Sequence, residues 1–281
     1  MIIDVHTHAW RYPDHFDDDF REQARHAKGG GDLDLTVTRE AYNASGGSKA
    51  DRVVVFGGKA RLSGLWVDDD YVAGYVAQDP RFIGFLSVDP TQDGWQAEME
   101  RGHQHLGMKG IKLLSMYAGF YLHDETLDPL WRYATEHALP VLLHTGTTFV
   151  SQAPLDCTLP RHLDPVATRF PDVRIVMAHI GHPYSGEAVV VARKHRHVFT
   201  DLSAIHYRPF QCYQTLILVQ EYGIWSKVLF GTDYPFTTLD ASIDGLYGLN
   251  RMLDGTALPR LDEAQIQACV ERDALDLLGL D

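Results

Sequence analysis

The chain has few cysteines for its 281 residues. The three that occur, Cys157, Cys212 and Cys269, are scattered, odd in number and without a Cys-x-x-Cys pair. Disulfide frameworks and thiolate metal sites both use cysteines in pairs at characteristic spacings. The sequence therefore predicts neither, and it is typical of a protein from a reducing compartment.

Positive charge is also scarce. Lysine and arginine total 25 against 38 aspartates and glutamates, which gives a formal net charge of −13. Nucleic acids and anionic membranes attract basic proteins, so we expect neither as a partner. The expected partner is a small molecule, and an anionic one would need a local cationic pocket. The oligomeric state stays open, a homo-oligomer included.

Long apolar runs are missing as well. No stretch approaches the roughly 20 apolar residues that span a bilayer, and no basic segment followed by an apolar one marks a signal peptide. A cytoplasmic location is therefore expected. The composition, 45% hydrophobic and 22% charged, is ordinary for a globular protein with a substantial core.

Eight short apolar, β-branched runs recur along the chain. They occupy 2–6, 52–58, 81–90, 110–115, 140–146, 173–179, 197–203 and 227–233. The segments between them, such as 91–107 and 123–139, carry apolar residues at three- and four-residue intervals. Strands that alternate with helices pair in parallel through crossover connections. We predict an α/β fold, a (β/α)8 TIM barrel, with a doubly wound sheet as the alternative.

Polar residues suited to chemistry cluster where these runs end. In a (β/α)8 barrel the C-terminal strand ends meet at one mouth, which favours the barrel over the open sheet. The first run contributes two histidines on one face of an extended strand, a spacing that suits a shared metal ion. The alternative for that pair is an ordinary strand end whose imidazoles bond to backbone or water. The residues at these ends are His6, His8, Lys112, His144, His179, Asp201 and Asp233.

Residues 11–50 interrupt this regular pattern. The segment is charged, rich in glycine and weakly periodic, with a predicted helix around 38–45. It follows His8 directly, so it must begin at the barrel mouth. We predict one domain over 1–281, with 11–50 as a lid or insertion, and a lid is favoured over an inert insertion.

Four motifs, HTH at 6–8, VLLHTG around His144, IVMAHIGHP around His179 and LFGTDYPF around Asp233, resemble the amidohydrolase superfamily. The resemblance runs along almost the whole chain. It is strongest to the amidohydrolase-related group, which includes aminocarboxymuconate-semialdehyde decarboxylase and several hydrolases. It implies one divalent ion, most often zinc, held by His6, His8, His144 and Asp233. It also implies that His179 acts as a catalytic acid or base. From its chemistry, Asp233 can bind metal through one carboxylate oxygen and accept a proton with the other.

The chemistry of this residue set agrees with the resemblance. Three imidazoles and a carboxylate leave an open position, which a catalytic zinc needs for water or a substrate oxygen. Lys112 lies where binuclear relatives carry a carboxylated lysine, but we predict one metal and a Lys112 charge near the substrate. Asp201 is either a partner of a ligand histidine or a backbone contact. His182 is expected only to shape its loop.

The substrate pocket is less determined by the sequence. Arg208 is the best anchor for a carboxylate, because guanidinium binds it through two hydrogen bonds, although a solvent-facing loop arginine is equally compatible. Trp10 and Tyr117 follow barrel strands and form either an aromatic wall or ordinary packing.

Three functions follow from these residues. The first is a metal-dependent hydrolase of a small, carboxylate-bearing lactone, amide or ester. The second is a zinc-dependent, non-oxidative decarboxylase of a small unsaturated or aromatic acid. The third, a non-catalytic binding barrel, fits less well, because binding alone does not need three histidines, an aspartate and a free base together.

Overall fold

The computed structural model describes residues 1–280, and parallel strands form the centre of the structure. Within those residues eight strands make one sheet in sequence order, each parallel to the next. All eight predicted runs overlap a strand, so the (β/α)8 prediction is confirmed. Asp281, the last residue of the predicted domain, lies outside the described residues. The strands are β1 (Ile3–His8), β2 (Arg52–Phe56), β3 (Phe82–Ser87), β4 (Gly110–Leu113), β5 (Val141–Leu143), β6 (Ile175–Met177), β7 (Val198–Asp201) and β8 (Val228–Leu229).

Backbone hydrogen bonds between β1 and the end of β8 close the barrel. Val5 N donates to Phe230 O at 3.1 Å, and His8 N donates to Tyr234 O at 3.0 Å. Asp233 N donates to His6 O at 2.8 Å, so the closing seam passes through predicted site residues.

Helices connect the strands, as the three- and four-residue spacing predicted. The predicted segments 91–107 and 123–139 contain the helices Trp95–Gln104 and Asp128–Glu136. Pro129 lies in the first turn of the second helix, where its missing N–H costs nothing. The α-helices of residues 1–280 are α1 (Asp18–Ala27), α2 (Arg39–Ala44), α3 (Asp69–Val76), α4 (Trp95–Gln104), α5 (Ser115–Ala118), α6 (Asp128–Glu136), α7 (Leu163–Arg169), α8 (Ser185–Lys194), α9 (Pro209–Glu221), α10 (Leu239–Tyr247), α11 (Glu263–Val270) and α12 (Ala274–Leu278).

Shorter elements complete the connections. A two-stranded antiparallel hairpin, which the sequence did not suggest, pairs Lys59–Ala60 with Leu65–Trp66. The 3-10 helices span Gly47–Lys49, Arg61–Ser63, Glu125–Leu127, Leu155–Thr158, Pro160–His162, Ala178–Gly181, Trp225–Lys227 and Leu249–Leu253.

The apolar core has two parts. A large cluster fills the space between the strands and the surrounding helices. A smaller cluster joins strand residues such as Val54, Phe85 and Leu229 to Leu275 and Leu278 of α12. We infer that α12 covers the end of the barrel opposite the site, since Ile3 at the start of β1 belongs to the same cluster.

The long connection after β1 divides into two helices. The predicted helix around 38–45 is α2, capped by the Thr38 side chain, which accepts a hydrogen bond from Ala41 N. The other helix, α1, is capped by Asp17 and buries Phe20 and Ala24. Residues of α1 line the cavity at the barrel mouth. The lid stays a prediction, and α1 is the part of segment 11–50 that could form it.

The three cysteines are buried free thiols. No helix within residues 1–280 has the length and apolar character needed to cross a membrane.

Candidate active site

A cavity of about 680 Å³ opens at the C-terminal ends of the barrel strands. Four of the predicted residues, His8, His144, His179 and Asp233, line it. Of the seven strand-end residues these four therefore meet at one mouth, whereas His6, Lys112 and Asp201 are fully buried and do not line the cavity. His6 lies directly beneath, fully buried, and its ring is 4.9 Å from that of His179.

His6 is held in one orientation by residues at the end of β7. Its Nδ1 lies 2.9 Å from Asp201 Oδ2 and 3.1 Å from Ser203 Oγ. Because a carboxylate only accepts, Nδ1 carries the proton and Nε2 keeps its lone pair. That Nε2 lies 3.2 Å from Asp233 Oδ1 and makes no hydrogen bond within the described chain. The structure shows both roles that the sequence left open for Asp201, since its Oδ2 contacts His6 Nδ1 and its Oδ1 accepts from the backbone N–H groups of His179 and Ser203.

His8 meets the same carboxylate oxygen from the other side. Its Nε2 lies 2.9 Å from Asp233 Oδ1, and its ring stacks on Trp10 with a centroid distance of 4.0 Å. Its Nδ1 is buried and lacks a hydrogen-bond partner among residues 1–280. Two imidazoles that share one carboxylate oxygen therefore form the floor of the site.

His179 and His144 lie on the opposite side of this pair. His179 Nδ1 is 3.1 Å from Ser203 O, so Nδ1 donates and Nε2 is left unprotonated. His144 is 5.0 Å from His179 between ring centroids, and its Nε2 lies 3.1 Å from Thr147 O. By the same reasoning the free lone pair of His144 is on Nδ1.

Backbone strain is concentrated at this mouth. His179, Ala204 and Asp233 all have positive φ, at 56°, 54° and 69°. This region costs a residue with a side chain about 1–2 kcal/mol, so the surrounding bonds must hold it. Each of the three follows a barrel strand, and the strain turns the chain sharply where the site is built.

Burial favours the neutral form of three histidines of the site, His8, His144 and His179. It lowers the pKa of His8 to about 4 and that of His179 below its ordinary value. The pKa of His144 also falls well below the usual range because the ring is buried. Neutral imidazole is the form that binds metal or accepts a proton. Burial alone would raise the pKa of Asp233, but the neighbouring imidazoles of His179, His6 and His8 hold it well below the usual range.

The metal-capable atoms of three residues lie within 4.8 Å of one another, and these residues are His6, His179 and Asp233. The grouping shares two residues with the predicted ligand set of His6, His8, His144 and Asp233. It differs by including His179, which the family resemblance makes an acid or base. His8 is tied to the group through Asp233, whereas Nε2 of His144 is turned to a backbone oxygen.

Three of the four predicted substrate-binding residues line the cavity, namely Trp10, Tyr117 and Arg208. Lys112 does not. It is fully buried with Nζ 4.3 Å above the Phe56 ring, and burial lowers its pKa to about 7. A lysine in that position is not a fixed positive charge at neutral pH, so its placement gives no support to the predicted substrate contact.

The structure adds residues that sequence reasoning missed. Ser203 contacts both His6 and His179, and the polar strand end TDLS was the available signal. Phe236 and Lys28 also line the cavity, with Nζ of Lys28 5.3 Å from the Phe236 ring centroid. Nothing in the spacing of the sequence connects these two residues.

A family sequence profile described as "Amidohydrolase" matches residues 3–280. Among proteins with curated functions, none matches the chain by sequence. The fold is similar to that of solved structures with low sequence identity. Three of them are described next, one named as a hydrolase and two as decarboxylases.

The first is a probable 2-pyrone-4,6-dicarboxylic acid hydrolase from Acinetobacter baumannii with citric acid bound, at 16% identity and a TM-score of 0.67 over 99% of both chains. The second is 5-carboxyvanillate decarboxylase from Sphingomonas paucimobilis, at 15% identity and a TM-score of 0.66 over 100% of this chain and 99% of that one. The third is the same type of decarboxylase from Novosphingobium aromaticivorans with manganese and 4-hydroxy-3-methoxy-5-nitrobenzoic acid, at 18% identity and a TM-score of 0.66 over 100% and 96%.

Proposed function

The chain belongs to the amidohydrolase family, and on that premise we propose that this enzyme is a metal-dependent hydrolase of a small, carboxylate-bearing lactone, amide or ester. The observation that carries the proposal is the meeting of His6, His8 and Asp233 on one carboxylate oxygen at the floor of the cavity. Neighbouring His179 supplies a neutral imidazole. A binding barrel would gain nothing from that set.

The residues present fit a divalent ion. His6 Nε2 carries a free lone pair at a buried position without a hydrogen-bond partner in residues 1–280, and Asp201 fixes the ring from behind, as an outer carboxylate does for a ligand histidine. We propose His6, His8, His144 and Asp233 as the ligands and zinc as the ion. When bound, the ion would acidify water towards a pKa of about 7 and polarise a carbonyl group.

The other groups of the site would handle protons. His179 Nε2 has its lone pair free because Nδ1 donates to Ser203 O, so Nε2 can accept a proton and return it to a leaving group. Asp233 has a second carboxylate oxygen beside the one shared by His6 and His8. These two groups therefore give the site two proton acceptors close together.

The walls of the cavity suit a flat, anionic molecule. Trp10, Tyr117 and Phe236 supply aromatic surface, and Arg208 and Lys28 supply positive charge. Neither cation forms an ion pair with a carboxylate of the described chain, while Asp233 is the single acidic side chain among the described lining residues. In a chain with a net charge of −13, this is the local cationic pocket that an anionic substrate needs.

Decarboxylation is the second candidate, because two of the similar folds are carboxyvanillate decarboxylases that align over whole chains. The two reactions differ in the fate of water. Hydrolysis places a solvent oxygen in the new carboxylate, whereas decarboxylation delivers a proton to carbon and releases carbon dioxide.

The test is a substrate panel in ¹⁸O-labelled water with carbon dioxide monitored. It contains 2-pyrone-4,6-dicarboxylic acid, simple lactones and cyclic amides, and aromatic acids including 5-carboxyvanillate. Label in the product carboxylate would support hydrolysis. Carbon dioxide from an acid, with no label in the remaining product, would move the enzyme to the lyases.

A further inference from the structure

A buried polar cluster lies outside the cavity, between β1 and the turn that follows β8. Its centre is Asp4, which is fully buried in β1. Asp4 Oδ1 accepts from Thr232 N at 2.9 Å, and Asp4 Oδ2 accepts from Thr232 Oγ1 at 2.8 Å and from Tyr42 OH at 3.1 Å. A buried carboxylate needs such partners, and the two closest of these bonds go to one residue.

Thr232 is the residue immediately before Asp233. Its Oγ1 donates to Asp4 and accepts from Tyr234 N at 3.0 Å, so one hydroxyl spans the turn on both sides of Asp233. Asp233 itself has φ +69° and donates its N–H to His6 O at 2.8 Å. A strained residue keeps its conformation only when neighbouring bonds hold it. The bonds from Thr232 are placed to do so.

The turn cannot relax towards β1 either. A Cβ added to Gly231 would lie 2.8 Å from His6 Cβ, so β1 and this turn are already at their closest approach. The carboxylate of Asp233 therefore reaches His6 and His8 only while the Thr232 backbone keeps its position.

Tyr42 brings α2 into the same cluster. Its side chain is 1% exposed, and its ring lies 5.2 Å from that of Tyr234 and 6.2 Å from that of Phe82. A Cβ on Gly47 would come within 2.4 Å of the Tyr42 ring, so the local chain is shaped around that side chain. The second half of the predicted lid is thus fixed to the barrel.

We propose that Asp4, Thr232 and Tyr42 are positioning residues that hold the Asp233 carboxylate against His6 and His8. They touch neither the cavity nor a substrate, and they act through the Asp233 turn. The proposal rests on the proposed function in one respect, since it takes Asp233 as a metal ligand.

The test compares four variants of the full chain. Thr232→Val removes the hydroxyl with little change of shape, whereas Thr232→Ser keeps the hydroxyl and removes the methyl group. Tyr42→Phe removes the hydroxyl that donates to Asp4 from α2. Tyr75→Phe is the matched control, because Tyr75 is also buried and its ring also packs on Phe82 at 5.2 Å, but it lies outside the cluster. Zinc affinity is measured by chelator competition at a temperature where every variant is folded, and crystal structures are determined for Thr232→Val and the wild type.

We expect Thr232→Val to weaken zinc binding about tenfold or more, the usual scale for a lost outer partner of a ligand. Tyr42→Phe should weaken it less, and Thr232→Ser and Tyr75→Phe should match the wild type. In the Thr232→Val crystal structure the Asp233 carboxylate should have left His6 or His8. Unchanged zinc affinity together with an unmoved Asp233 would overturn the proposal. If the wild type binds no zinc, the proposed function fails, and the position of Asp233 in the two crystal structures alone decides the positioning role.

Discussion

The indole of Trp10 lies face to face on the imidazole of His8, with ring centroids 4.0 Å apart and planes within 16°. His8 has no hydrogen bond at Nδ1 within residues 1–280, unlike His6, whose Nδ1 is fixed by Asp201. Stacking on Trp10 and the edge of Phe56 therefore replaces the polar partner that usually orients a ligand histidine.

Trp10→Ala should therefore weaken zinc binding about tenfold, because His8 loses the surface that orients it. Trp10→Phe keeps an aromatic face and should stay within about threefold of the wild type. Chelator competition measures both affinities. If Trp10→Ala binds zinc normally and loses only affinity for an aromatic acid such as benzoate, Trp10 is a wall of the pocket and nothing more.

Substitutions at His144 and His179 separate the two ways of assigning the metal ligands. His144→Ala should lose most of its zinc, measured by elemental analysis of protein purified without chelator. His179→Asn should keep its zinc while turnover falls about 10²-fold or more, because only proton transfer is lost. If His179→Asn loses its zinc and His144→Ala keeps it, the ion is held by the compact group of His6, His179 and Asp233.

A buried ion pair beside the barrel should contribute strongly to stability. Lys59 is 4% exposed, with Nζ 3.0 Å from Asp69 Oδ2, and Asp69 is also buried. Lys59→Met leaves that carboxylate unpaired, so we expect a loss of about 3–5 kcal/mol in the free energy of unfolding, measured in urea. Lys49→Met is the control, because its pair with Asp240 is exposed, and its loss should stay below about 1 kcal/mol. Equal effects from the two variants would show that burial does not matter at Lys59.

Gly146 permits a close contact between the loop that follows β5 and the loop that follows β6. It has φ +104°, and an added Cβ would lie 2.1 Å from His182 O. Gly146→Ala should cost more than about 2 kcal/mol of unfolding free energy, through both the backbone conformation and the collision. Gly74→Ala should instead stabilise the protein by about 0.5–1 kcal/mol, because Gly74 lies within α3 with open space around it. Calorimetry distinguishes these opposite signs, and a neutral Gly146→Ala would contradict the close approach.

The seating of α1 over the cavity depends on a few contacts. The Phe20 ring lies 5.4 Å from that of Phe149, and Gln23 Nε2 donates to Gln152 Oε1 at 2.9 Å. Phe20→Ala should lower the free energy of local unfolding of α1 by about 3 kcal/mol or more, the lower end of the cost of truncating a buried phenylalanine. Hydrogen exchange over 18–28 should accelerate while the β-strands stay protected. Uniform acceleration across the protein would mean that Phe20 supports the whole fold and that α1 is no lid.

The strands and the mouth were predictable because each depends on a local pattern. Continuous apolar runs located β1 to β8, and the parallel arrangement then placed their polar ends together. The contacts that orient the site were not predictable in this way. Tyr42 reaches Asp4 across 38 positions, and Thr232 reaches it across 228. Such pairs leave no periodic trace in the sequence. Lys112 was misleading for a related reason, since strand position alone does not reveal whether a side chain faces the cavity or an aromatic ring within the barrel.

The closing seam has a consequence for biosynthesis. His8 meets Asp233 across 225 positions, and His6 meets Asp201 across 195, so the first and last strands of the barrel both contribute to the site. While the chain is being translated, the two histidines of β1 leave the ribosome long before the residues that orient them. The proposed set of metal ligands is therefore complete only after the eighth strand and Asp233 have been synthesised.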